Sequence, residues 1–159
     1  MSNQYFAGLD AHLAYITVAI IDRMGVVQWQ GNVTTRSPAA LLERLAPYRP
    51  LDAVVESSPF WTWLYDQLTP AGVRVHVAHA KALRAIATSH RKTDERDAML
   101  LARMLATGLI PAVYPKPQPQ REQATLLRHR GLLVRRRTEC ANRIHAQLHT
   151  HHLQIGRGK

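Results

Sequence analysis

Hydrophobic and polar positions along the chain first alternate as strands and then recur as helices. Tyr5–Asp10 is a short β-type run that ends in a carboxylate, and Ala14–Asp22 is rich in β-branched residues (Ile16, Thr17, Val18, Ile20, Ile21). Arg23-Met24-Gly25 is a tight connection and Val26–Val33 the return strand, so the pattern predicts a three-stranded antiparallel meander. Ser37-Pro38 reads as an N-cap with proline at the first helical position, opening a helix through Leu41, Leu42 and Leu45 that Pro47 and Pro50 close. Leu51–Glu56 is a buried strand (Ala53, Val54, Val55) that again ends in a carboxylate. After Pro59 an aromatic helix runs from Phe60 to about Leu68, Pro70-Ala71-Gly72 turns, and Val73–Val77 alternates as a strand. Lys81–Ala87 reads as a short helix and His90-Arg91-Lys92 as a basic loop. Thr93 N-caps a helix from Asp94 to about Thr107, stopped by Gly108.

Four prolines between Pro111 and Pro119 mark a stiff linker, residues 111–119, between a first domain (1–110) and a last segment (120–159). Arg121–Leu153 has no proline and reads as one long helix. Its apolar positions (Leu127, Val134, Ala141, Ile144, Leu148) form a stripe that Arg130 and Arg137 interrupt. The order β-β-β-α-β-α-β-α lets the fourth strand reach the sheet through a helical crossover and lie parallel to the first. Asp10 and Glu56 then end neighbouring parallel strands at one edge, where sites in α/β sheets sit.

Composition narrows the partner. Residues 1–80 hold 5 basic and 6 acidic side chains, whereas residues 81–159 hold 16 and 5, so the second half carries all of the +10 excess. A polyanion such as DNA or RNA is the natural partner for that half. Its basic candidates are Arg91 and Lys92 in the loop, and Arg128, Arg130, Arg135, Arg136 and Arg137 in the long helix. The lone Cys140 excludes an intramolecular disulfide and a cysteine-based zinc finger. The longest apolar stretch, Ala14–Ile21, is eight residues long, too short to span a membrane, and no secretory signal pattern is present. The chain reads as cytosolic and soluble.

The candidate chemistry is carboxylate chemistry. Asp94 and Asp97 are three apart on one helix and share a face. Docked against the carboxyl edge of strands one and four, that face would gather Asp10, Glu56, Asp94 and Asp97. Such a cluster repels itself unless cations neutralise it, and all-oxygen ligation suits Mg²⁺ or Mn²⁺. Each acid alone has an ordinary explanation, since aspartate is common at strand ends and in first helical turns. Other constellations are weaker. Ser57 and Ser58 lack a histidine–aspartate arrangement, there is no Walker A loop, and His145 and His149 lack an evident third zinc ligand. Most of Trp61, Trp63 and Tyr65 are expected to pack in the core rather than stack on bases.

Gly8-Leu9-Asp10, then Val55-Glu56-Ser57-Ser58 followed by Phe60-Trp61, then Lys92-Thr93-Asp94-Glu95-Arg96-Asp97-Ala98 resemble the three signatures of the DEDD transposases of the insertion-sequence 110 family, which includes the Piv-type invertases. The resemblance implies a RuvC-like, RNase H-like α/β domain whose Asp10, Glu56, Asp94 and Asp97 are catalytic and bind Mg²⁺ or Mn²⁺. It also implies a coiled-coil segment used in dimerisation, DNA as substrate and a guide (bridge) RNA as partner. Pro59 stands where members often carry glycine. Members also carry a second, C-terminal domain with a nucleophilic serine. Residues 1–159 leave no room for it, so the expectation is an N-terminal fragment or natural truncation that does not complete recombination alone. Three rival readings follow from the residues. One is a stand-alone RuvC-like nuclease for branched DNA, and another is a non-catalytic nucleic-acid-binding dimerisation module. The third is an actin-like ATPase, for which the glycine-rich phosphate motifs are missing.

Overall fold

Strands β1 (Tyr5–Ala11), β2 (Tyr15–Asp22) and β3 (Val27–Thr34) form the antiparallel meander that the β-branched runs require. The β2–β3 turn is fastened by Asp22, whose carboxylate accepts the backbone N–H groups of Met24 and Val26, while Gly25 takes the left-handed conformation (φ 79°). Helix α1 (Pro38–Leu45) begins with Pro38 in its first turn and carries the chain over to β4 (Leu51–Glu56), which lies parallel to β1. Helix α2 (Trp61–Leu68) and β5 (Arg74–Ala78) repeat the crossover, and β5 lies parallel to β4. Helices α3 (Ala80–Ile86) and α4 (Asp94–Ala106), strand β6 (Ala112–Val113) and helix α5 (Gln118–Thr150) complete the chain. The computed structural model describes residues 4–86 and 93–156.

The strands are ordered β3-β2-β1-β4-β5-β6, so the two central parallel strands are covered on both faces. One face packs Ala7, Leu9, Ile16, Val18 and Val55 against Leu41 and Leu45 of α1 and Leu64 and Leu68 of α2. The other packs Phe6, Ile21 and Val54 against Leu101, Ala102 and Leu105 of α4. This mixed α/β sheet, a meander followed by crossover helices, is the expected fold class, and the long C-terminal helix follows it.

Gly8 governs how α4 sits. A methyl group on Gly8 would collide with the Ala98 carbonyl oxygen and stand 2.7 Å from the Ala102 nitrogen, so the helix backbone rests directly on β1. Only a residue without a Cβ permits that approach.

The chain divides into two compact units, residues 1–114 and 115–159. The proline-rich stretch is not all connector. Ala112 and Val113 pair antiparallel with Ala78 and Val77 as a two-residue edge strand, where the flanking prolines cost no ladder bonds. Helix α5 begins at Gln118 rather than near Arg121, because Pro119 falls in the first turn, where its missing N–H is not needed. No residue of α5 is buried.

Candidate metal centre

Asp10 is the penultimate residue of β1, paired with Thr17 of β2. Strand alternation puts it on the same face as Gly8, the face on which α4 lies. His12, two residues on, continues that face just past the strand end, where its backbone N–H bonds to the Tyr15 carbonyl. Across from them, Thr93 caps α4 by accepting the Arg96 N–H, which starts the helix at Asp94. Asp94, Glu95 and Asp97 fill the first turn, where the helix dipole favours negative charge.

These elements bring three side chains together. His12 Nε2 stands 3.1 Å from Asp10 Oδ2 and 3.3 Å from Asp94 Oδ2. The ligand-capable atoms of Asp10, His12 and Asp94 all lie within 4.8 Å of one another, and among the described residues no other group of histidine, cysteine and acidic side chains does so. The Tyr15 hydroxyl donates to Asp94 Oδ2 at 2.9 Å and fixes that carboxylate from the β2 side. Glu56 ends β4 one step beyond the Leu9–Val55 pair, beside Asp10 on the neighbouring strand and half-buried. Asp97 is in the next position of the α4 turn and acts on Asp10 through its charge. Neither Glu56 nor Asp97 belongs to the tight three-residue group.

The electrostatics is that of a partly dry, like-charged cluster. Burial raises the Asp10 carboxyl above its ordinary value; the nearby charges of Asp94 and Asp97 raise it further, and only His12 opposes them. Tyr15 is raised too, because its hydroxyl proton is held by the Asp94 carboxylate. Asp52 provides a contrast. It is buried on β4 but answered by Arg74 at 3.4 Å and His76 at 3.5 Å, the pattern of a structural ion pair. The Asp10 cluster is answered by one imidazole. Carboxylate oxygens that disfavour one another's charge, with an imidazole nitrogen beside them, are compatible with a bound divalent cation.

The remaining candidates are distributed as follows. Arg128, Arg130, Arg135, Arg136 and Arg137 lie along exposed α5. Arg128 bonds to the Ala124 carbonyl and Thr125, and Arg136 is 3.7 Å from Glu139. Arg91 and Lys92 lie outside the described residues. Trp61, Trp63 and Tyr65 pack against the α1/α2-side core. Sequence reasoning missed His12 and Tyr15. The available signal was the Asp10-x-His12 spacing, which on an extended strand aims both side chains to one face.

The site thus lies at one edge of a mixed α/β sheet, where two central parallel strands end in carboxylates and the acidic start of α4 meets Asp10. A family model described as transposase, the DEDD type of the insertion-sequence 110 group, matches residues 7–153. The chain belongs to that family. Among solved structures it is similar to T. thermophilus RuvC in complex with a Holliday junction substrate, at 15% sequence identity and a TM-score of 0.47, covering 69% of this chain and 99% of that chain. No curated protein matches. No helix among the described residues is long and apolar enough to cross a membrane.

Proposed function

We propose that residues 1–110 are the metal-dependent DNA-cleavage and strand-transfer domain of an RNA-guided transposase. In this reading Asp10, Glu56, Asp94 and Asp97 hold Mg²⁺ or Mn²⁺. The observation that carries it is the meeting of Asp10 and Asp94 on one imidazole, with Glu56 ending the adjacent strand. A divalent cation held there supplies positive charge to the attacking and leaving oxygens of a phosphodiester. Tyr15 fixes Asp94 by one oxygen, so that carboxylate is oriented before any ion arrives. In the metal-free protein His12 sits between the two aspartates and relieves their repulsion. The pairing of β1 with β4 holds Asp10 and Glu56 on rigid backbone.

Residues 111–119 connect this domain to the basic segment 120–159, whose arginines bind the backbone of DNA or of a guide RNA. The interrupted stripe Leu127, Val134, Ala141, Ile144 and Leu148 joins two copies of the chain as a coiled coil. Association with the nucleoid follows from binding DNA.

The test is strand nicking and joining on DNA in Mg²⁺ or Mn²⁺, with and without the guide RNA. Activity that needs the ion and vanishes in Asp10→Asn and Asp94→Asn supports the reading. Ion-dependent nicking of branched DNA with no RNA requirement would make the chain a stand-alone nuclease. Nucleic-acid binding with no detectable Mn²⁺ binding would make it a non-catalytic module.

A further inference from the structure

At the same edge of the sheet a cavity of about 340 Å³ opens beside Ala11, His12 and Leu13, which follow Asp10, and the turn after β3. It is lined by His12, Ile16, Arg36, Phe60, Trp63 and Leu64, among others. We propose that this cavity is a nucleobase subsite, which takes one base of the DNA strand next to the phosphodiester held at the metal centre. The proposal rests on the metal-centre reading and adds to it where the neighbouring nucleotide goes.

Three observations choose this occupant. The walls are of two kinds. The rings of Phe60 and Trp63 offer apolar faces over the fully buried Ile16 and Leu64, while exposed Arg36 contributes a cation. Aromatic faces that stack a base beside a cation that meets phosphate are how proteins hold single-stranded nucleic acid. Secondly, the volume falls in the range of small-ligand pockets, which are mostly apolar with a few placed polar groups. Thirdly, His12 belongs to both places: it lines the cavity and its Nε2 touches Asp10 and Asp94. The cavity is therefore lined by the two residues, Ala11 and His12, that directly follow Asp10 along the chain. Chemistry on a backbone phosphate is helped when the adjacent base is unstacked and held, because that fixes the phosphate's position.

Trp63 also explains why the cavity persists. The indole is partly buried and packs against the core cluster of Leu64 and Leu68, so the slot is held open by the fold. Arg36 sits in the short connection between β3 and α1, with its backbone N–H bonded to Thr34 Oγ1.

The experiment uses the full chain and a twelve-nucleotide single-stranded oligothymidine carrying one 5-iodouracil, photocrosslinked in Mn²⁺ and mapped by mass spectrometry. Crosslinks are expected on Trp63 or Phe60. Trp63→Leu, which keeps apolar bulk and removes the π face, should weaken oligonucleotide binding about 5- to 150-fold, the worth of one stacked base. Arg36→Gln, at an exposed position where folding is not at stake, should lower both affinity and crosslink yield. Mn²⁺ titration of the same variants should match the parent. Crosslinks confined to other segments, no binding of the oligonucleotide, or unchanged affinity in both variants would overturn the subsite, and intact Mn²⁺ binding would leave the metal centre standing. Crosslinks on Trp63 in a protein that binds no Mn²⁺ would instead overturn the metal centre alone.

Discussion

Asp10 is where the fold and the proposed chemistry pull against each other. Its carboxyl is raised by burial and by its acidic neighbours, so the folded chain resists the ionised form. The stabilising contribution of the protonated group is complete below the ordinary carboxyl value of 3.8 and is lost as pH rises through the raised folded value. Above that raised value the metal-free protein has lost it. Asp10→Asn, a neutral mimic, should therefore raise the melting temperature in EDTA while abolishing Mn²⁺ binding. With Mn²⁺ at about 100 times its Kd, the parent should gain about 2.7 kcal/mol, or about 5 °C or more in Tm, and the variant nothing. Thermal melts of both proteins, with and without the ion, check both signs. A lower melting temperature of the variant in EDTA would refute the electrostatic account. Protons compete with the cation for the same oxygens, so Mn²⁺ affinity should also fall by up to about tenfold per pH unit below Asp10's raised value. Isothermal titration across pH 4 to 7 would show it, and a flat profile would exclude Asp10 as a ligand. At this scale the sequence was legible only in part. Carboxylates that end apolar strands stand out against their neighbours, and Asp10 and Glu56 did. His12 and Tyr15 did not, because their roles depend on a contact with Asp94 that spans 79 positions in the case of Tyr15.

Among the elements, the decisive contact is the backbone of α4 on β1. It is made at Gly8, and it carries Asp94 and Asp97 to the edge where Asp10 ends its strand. Gly8→Ala must push α4 away or distort it, since the obstruction is backbone at Ala98 and Ala102 rather than a flexible side chain. The expected cost is about 1–3 kcal/mol of stability, the usual penalty of overpacking. Mn²⁺ affinity should fall by at least about tenfold, as when the supports of a ligand are lost. Urea unfolding and metal titration measure the two effects; unchanged metal affinity in a destabilised protein would uncouple the helix position from the site. The glycine of Gly8-Leu9-Asp10 thus has a packing reason that its place in a signature does not disclose. The meander, both crossovers and the capped start of α4 were readable because periodicity, proline and Thr93 all pointed the same way. Strand β6 was not readable. Two exposed residues between prolines have no periodicity, and only the partner strand β5 makes them a strand.

Over the whole molecule, charge and catalysis are assigned to different stretches of chain. The 33 residues of α5 extend for about 50 Å, none of them buried, with one arginine set on each of two faces. Arg130 and Arg137 fall in the same stripe as Leu127, Val134 and Leu148, while Arg128 and Arg135, seven apart, lie on the opposite side. If the stripe joins two copies, Arg128 and Arg135 point away from that seam and are placed for phosphate. Each phosphate contact releases counterions, and the slope of log affinity against log salt falls by about 0.7 to 0.9 per contact removed. The double change Arg128→Gln, Arg135→Gln should therefore flatten that slope by about 1.4 to 1.8 on DNA, with sedimentation behaviour and Mn²⁺ binding unchanged. Leu127→Asp with Val134→Asp should do the reverse, lowering the association state and leaving the per-chain slope in place. Salt titrations of oligonucleotide binding, run beside analytical ultracentrifugation, separate the two faces. If the arginine pair moves the association state instead of the slope, α5 is seated the other way round and its phosphate contacts belong to Arg130 and Arg137.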